Sequence, residues 1–184
     1  MPVFGTALAL FAGAAGAGNL VTNPDFDSGL TGWTLVAPAG TLSLDNSDGS
    51  PSAPSLHLVA FTAASGAQVE SDCIAIDNSQ NVDLYANVNV HTGNQNVSVD
   101  AWSSADCSTG SLGTAGSASL TPASDTWQEE SNLAFALPGT TQSVRVVLTA
   151  GPTFGADVSD VKFDHLQFGP AGTTPVTLQS FDVE

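Results

Sequence analysis

The sequence has almost no positive charge. Of 184 residues, 2 are Lys or Arg (Arg145 and Lys162) against 18 Asp or Glu, a formal net charge of −16. Phosphate backbones are gripped by clustered Lys and Arg, so this shortage excludes nucleic acid as a partner. It also disfavours anionic membrane surfaces. An inward-facing carboxylate can rarely find a cation here, and must be protonated, hydrogen-bonded or metal-bound. Cysteine is scarce too: there are 2, Cys73 and Cys107, and neither sits in a CxxC or beside a histidine. That spacing disfavours a two-cysteine metal site. Helical periodicity longer than two turns is absent. Beyond the start of the chain, no segment holds the roughly eighteen apolar residues that cross a bilayer, so no membrane span is expected in the mature form.

What is present is 18 Gly and 10 Pro among abundant Ala, Ser, Thr and Val. That mixture suits short strands joined by turns. Strand-length runs recur at 42–44, 55–59, 67–76, 81–92, 96–103, 127–137, 143–150 and 161–168. Clear turns separate them at 46–51, 91–94, 107–116 and 138–139, and the spacing predicts an all-β sandwich. Residues 1–18 are apolar and end in Ala15-Gly16-Ala17. They read as a signal peptide cleaved near Ala17, without the usual basic start, or as an uncleaved apolar arm. Residues 19–168 form the sandwich. Residues 169–184, after Pro170-Ala171-Gly172, form a tail or an extra edge strand. Export would place the chain outside the cell or at its surface, where Cys73 and Cys107 pair by default as one disulfide. In that setting calcium is the natural metal for unpaired carboxylates.

Alternation assigns faces. Val82, Leu84, Ala86, Val88 and Val90 share one parity and point inward, as do Val97, Val99 and Ala101 on the following strand. Gly93-Asn94 predicts a hairpin between the two strands. One outer face would then carry Tyr85, Asn87, Asn89, His91, Asp100 and Trp102. Val144, Val146 and Leu148 point inward on a later strand, which turns Arg145 outward. Aromatic faces stack on pyranose C–H groups while amides and carboxylates bind hydroxyls, so this surface suits a sugar. An ordinary solvated sheet face has the same pattern.

The run Asn19-Leu20-Val21-Thr22-Asn23-Pro24-Asp25-Phe26-Asp27-Ser28-Gly29-Leu30-Thr31-Gly32-Trp33 resembles the opening of jelly-roll carbohydrate-binding modules. Ser55-Leu56-His57-Leu58 resembles their S-L-x-L strand, Thr126-Trp127 their T-W, and Val161-Lys162-Phe163-Asp164-His165-Leu166 their closing V-x-F-D strand. Asp72-Cys73 and Cys107-Ser108-Thr109-Gly110 resemble a recurring cysteine pair. The resemblance covers residues 19–168 and implies a two-sheet antiparallel jelly-roll β-sandwich of the galactose-binding-like type. It also implies a structural calcium at Asp27 and Asp164, aided near Asn23 and Asp45; without metal, Asp164 would cap backbone N–H groups. Phe26 and Trp33 read as core, and Trp127 as core or rim. Trp102 and Tyr85 are then the better sugar platforms.

No HExxH, GxSxG or P-loop pattern is present. Glu129 and Glu130 are adjacent, so on a strand they face opposite ways and cannot flank one glycosidic bond. The reading is a secreted, non-catalytic domain that binds a polysaccharide or surface glycan, free or within a larger secreted protein. The alternative is a structural or adhesive subunit that joins copies of itself by strand addition through its terminal segments.

Overall fold

The computed structural model describes residues 18–37, 40–61, 66–119, 124–151 and 158–173. The proposed signal segment, apart from Gly18, and residues 174–184 of the tail lie outside them. Strands are β1 (Trp33–Ala37), β2 (Gly40–Asp45), β3 (Ser55–Ala60), β4 (Ala67–Ser71), β5 (Ile74–Ala75), β6 (Val82–Thr92), β7 (Asn94–Trp102), β8 (Ser111–Ser119), β9 (Trp127–Phe135), β10 (Ser143–Gly151) and β11 (Ser159–Pro170). No helix occurs among the described residues.

The strands form two antiparallel sheets. Sheet A runs β1-β4-β10-β7-β8, with β5 also paired to β10, and sheet B runs β2-β3-β11-β6-β9. The chain keeps crossing between the two, which is the jelly-roll arrangement. The inward parity residues of β6, β7 and β10 fill the space between the sheets together with Leu56, Leu58, Phe163 and Phe168. This is an all-β sandwich, as the sequence implied.

Two strands carry little sequence signal. β1 begins at Trp33, ahead of the first expected strand run. β8 consists of Ser, Gly and Ala with one Thr and one Leu, mostly residues with weak strand preference, and it begins inside the 107–116 stretch expected as a turn; the tertiary fold places it at the edge of sheet A. The 67–76 run is broken into β4 and β5 at Asp72-Cys73. There Asp72 N–H turns away to the Gly32 carbonyl at 2.7 Å.

The expected hairpin is overturned. β6 pairs with β11 and β9 in sheet B, whereas β7 pairs with β10 and β8 in sheet A. Inward apolar parity is satisfied equally by two strands side by side and by two strands facing each other across a core. The corner is made by Gly93 at φ +85°, where a Cβ would collide with Ser159. The Ser159 hydroxyl bonds to the carbonyls on either side, Thr92 and Asn94.

The opening segment behaves as the motif implied. Phe26 and Trp33 are buried with ring centroids 5.5 Å apart. Asn23 closes the loop around them: its Nδ2 donates to the carbonyls of Gly29 (2.8 Å) and Thr31 (3.1 Å), and its Oδ1 accepts from Ser28 N–H at 3.0 Å. Cys73 and Cys107 form the disulfide, closing a loop of 34 residues. Replacing both by serine is expected to cost about 3–4 kcal/mol through a less constrained unfolded chain. A fall in Tm of about 10 °C, matched by the reduced wild type, checks this.

Candidate functional site

The side chains that could act together lie on the outer face of sheet B. Ser43, His57, Lys162, Asn89 and Trp127 are mutual register partners, one from each strand in the order β2-β3-β11-β6-β9. Around this row opens a cleft of about 610 Å³, lined also by Asp45, Asp48, His91, Asp125, Thr126 and Asp160. The loop after β2 forms one wall, anchored where Ser55 Oγ donates to the Asp48 carbonyl.

Charge in the cleft is internally arranged. Lys162 Nζ sits 2.8 Å from Asp45 Oδ2 and 2.7 Å from Asp48 Oδ2. Partial burial works against its charge, but the bonds to the two carboxylates outweigh that and hold its pKa above the usual value. The same bonds hold both carboxylates below theirs, with Ser47 assisting at Asp45 and Trp127 at Asp48. Trp127 Nε1 donates to Asp48 Oδ1 at 2.9 Å, which fixes the indole plane. His57 Nε2 lies 2.7 Å from Asp160 Oδ1, and His91 Nδ1 lies 3.0 Å from Asp125 Oδ1. The Asp125 bond raises the pKa of His91. One group is left over. Asn89 is 8 % exposed and its Oδ1 has no hydrogen-bond partner.

Of the seven expected ligand residues, the structure brings Asn89 and His91 into this cleft. Tyr85 and Asn87 share its sheet face but are spent on structure. Tyr85 OH donates to Asn87 Oδ1 (3.1 Å), and Asn87 Nδ2 donates to the Ser50 carbonyl (2.9 Å), so both help to hold the loop after β2. Burial, then the nearby Glu129 carboxylate, pushes the Tyr85 hydroxyl up to about 12. Asp100, Trp102 and Arg145 belong to sheet A, where Arg145 is the register partner of Asp100 and Ser143 of Trp102. Arg145 Nη1 donates to the Ser71 carbonyl at 3.0 Å and lies 3.6 Å from Glu70. The single face expected to hold all seven is therefore two faces on different sheets.

Two β-bulges invert the side-chain parity along β9 and β11. Residues 132–135 of β9 span the stretch that Val82–Leu84 span on β6, and Ala134 has φ +54°. Asp83 Oδ1 accepts the Ala134 N–H at 2.8 Å and holds the bulge. Parity therefore flips between Trp127 and Phe135: Phe135 packs on the core, and Trp127 faces the cleft. On β11 a second bulge at 165–166, with His165 at φ +50°, separates Asp164 (paired with Asn87) from Gln167 (paired with Tyr85). Phe163 and Phe168 consequently both reach the core, and Asp164 lies on the outer side of the sheet, buried beneath the loop. Its Oδ2 accepts Ser50 N–H at 2.7 Å and its Oδ1 accepts His165 N–H at 2.8 Å. Burial pushes its pKa up to about 6.

The four residues expected around calcium do not gather. Asn23 closes its own loop, Asp27 is exposed, and Asp45 is tied to Lys162. Among the described residues no three His, Cys, Asp or Glu side chains cluster in a way that fits a metal ion. Asp164 alone of the four is a buried carboxylate with no Lys or Arg paired to it.

The missed cleft residues His57 and Lys162 occupy the x positions of S-L-x-L and V-x-F-D. Each lies between two inward apolar residues and so points outward, a signal present in the sequence.

No family model matches the sequence, and no curated protein matches it. Solved structures do. A family 4 carbohydrate-binding module superposes with TM-score 0.55 at 19 % identity, over 79 % of this chain and 99 % of its own. A family 22 carbohydrate-binding module from Clostridium thermocellum superposes with TM-score 0.55 at 18 % identity, over 85 % and 98 %. This chain has the jelly-roll fold of carbohydrate-binding modules. A bacteriophage CBA120 tailspike domain described as enzymatically active also superposes on this jelly roll, with TM-score 0.66 at 14 % identity over 83 % of this chain. The chain spans 21 % of that tailspike domain, and 26 % of an arabinofuranosidase that matches as well. At these identities the likeness is one of fold.

Proposed function

We propose that the chain is a secreted, non-catalytic carbohydrate-binding domain, and that its glycan lies in the cleft on sheet B. The observation that carries this reading is the pairing of an oriented indole, Trp127, with a buried unpartnered acceptor, Asn89 Oδ1, in one cleft. The indole offers a face to pyranose C–H groups, and the amide oxygen takes a hydroxyl hydrogen. The carbohydrate-binding modules that share the fold nearly end to end, one of them solved with β-1,4-galactotriose, support the ligand class. The disulfide and the jelly roll support export. Glu129 and Glu130 face opposite sides of β9, which supports a binding rather than a hydrolytic role.

Affinity electrophoresis of the folded protein through gels containing glucan, xylan, mannan, galactan or chitin derivatives tests the reading. Retardation in at least one gel is expected. Unretarded migration in all of them rejects it.

A structural calcium belongs to the same proposal in narrower form. Asp164 would supply its carboxylate, and the ion would neutralise a buried charge that no Lys or Arg reaches. Chelation with EDTA is then expected to lower Tm by several degrees, restored by added calcium. An unchanged Tm removes calcium from the account.

A further inference from the structure

Resting on the reading of the cleft as a glycan site, we propose that its preferred ligand is a glycan bearing free amino groups, as in glucosamine oligomers. Neutral chains come second and uronic-acid or sulfated chains are excluded.

The charge of the cleft and its unused acceptor select the ligand. Four carboxylates line it, those of Asp45, Asp48, Asp125 and Asp160, against one ammonium, Lys162. Four carboxylates against one ammonium leave negative charge in excess, and two imidazolium charges at His57 and His91 would not reverse it. Lys162 is held between Asp45 and Asp48 and has little left to offer an anionic ligand. Arg145, the chain's other cation, is committed to Ser71 and Glu70 on sheet A. A uronic-acid or sulfated chain would therefore meet repulsion with no free partner.

The orphan on the floor points the same way. Asn89 Oδ1 is an acceptor more than nine-tenths buried, and an unpaired acceptor at that depth calls for a donor from the ligand. An ammonium supplies three donors and no acceptor, and so complements an acceptor-rich, negative cleft better than a hydroxyl or an acetamido group does. His57 and His91 are each hydrogen-bonded to a cleft carboxylate.

Isothermal titration of the folded chain with glucosamine oligomers, N-acetylglucosamine oligomers and galacturonic-acid oligomers of equal length tests this, at a pH where the amines are charged. The glucosamine oligomer is expected to bind at least about tenfold more tightly than the N-acetylated one. Its affinity should fall as salt rises, and the galacturonic-acid oligomer should give no heat. The double variant Asp125→Asn/Asp160→Asn should erase the tenfold preference, and Asn89→Ala should weaken every bound oligomer. Asp100→Asn, on the opposite sheet, should leave the preference intact. Equal or tighter binding of the N-acetylated or a neutral oligomer overturns the amino preference while keeping the glycan reading. A loss in Asp100→Asn as large as in the cleft variant overturns it too, by assigning the attraction to the acidic surface at large. Failure of every oligomer and every polysaccharide gel rejects both readings together.

Discussion

Replacing Trp127 with alanine removes retention by whichever polysaccharide holds the wild type, and leaves the protein folded. Trp127 is the one tryptophan in the cleft, and its plane is fixed by the bond from Nε1 to Asp48. Truncating an aromatic anchor at the centre of a binding surface costs about 2 kcal/mol or more, roughly thirtyfold in Kd. Lys162 keeps Asp48 in place when the indole is gone, so the wall of the cleft should survive. Trp127→Phe keeps a ring but loses the bond to Asp48, and is expected to fall between the two. Trp102→Ala is the informative partner, because Trp102 lies on the outer face of sheet A and should bind as the wild type does. Titration calorimetry on the three variants, with circular dichroism to confirm folding, checks the series. Loss in Trp102→Ala with retention in Trp127→Ala would move the glycan to the other sheet.

Glu130→Gln is expected to raise stability at neutral and alkaline pH and to leave it unchanged in acid. Glu130 faces the core from β9, is 3 % exposed, and takes one bond, from Gln95 Nε2 at 2.6 Å. Its Oε2 and the Gln95 Oε1 are both buried without partners. Burial pushes the Glu130 carboxyl up to about 8, so the folded protein holds the proton that the unfolded chain releases. The folded value is raised, so the stability tied to this proton is complete below the unfolded pKa and is lost as pH climbs towards about 8. Glutamine cannot ionise and retains the acceptor for Gln95. At pH 8.5 the gain should be on the order of 2 kcal/mol once solvent relaxation is allowed for. That corresponds to about 4–8 °C in Tm. Thermal unfolding of both proteins between pH 4 and 9 should show curves that meet in acid and diverge as pH rises. Parallel curves would show that Glu130 is ionised in the fold.

The legible part of the site and the illegible part differ in physical kind. His57 and Lys162 were missed, although the apolar residues on either side of each turn them outward wherever their strands lie. Asn89 and His91 were read correctly as outward for the same reason. Tyr85 and Asn87 were outward as well, but nothing local announces that the loop after β2 lands on them and uses their polar atoms. Trp127, read as core or rim, faces the cleft because the bulge on β9 separates its parity from that of Phe135. Asp164 is turned to the outer side of the sheet by the bulge at His165, where it accepts two backbone N–H groups. Each bulge adds one residue, and one residue inverts every later side chain.

Composition and alternation by themselves determined that this chain is an all-β sandwich with a polar, acidic exterior. The opening run determined a buried Phe26 and Trp33, and the two cysteines their disulfide. All of these follow from short-range chemistry: strand parity, turn residues, burial of aromatics and the scarcity of partners. Only the tertiary structure decided that β6 and β7 belong to different sheets, which separates Asn89 from Trp102 and joins it to Trp127, Lys162 and His57. Strand pairing is a choice among distant segments with equivalent faces, and it is settled by packing of the whole core and by a corner such as Gly93. The cleft exists because of that choice.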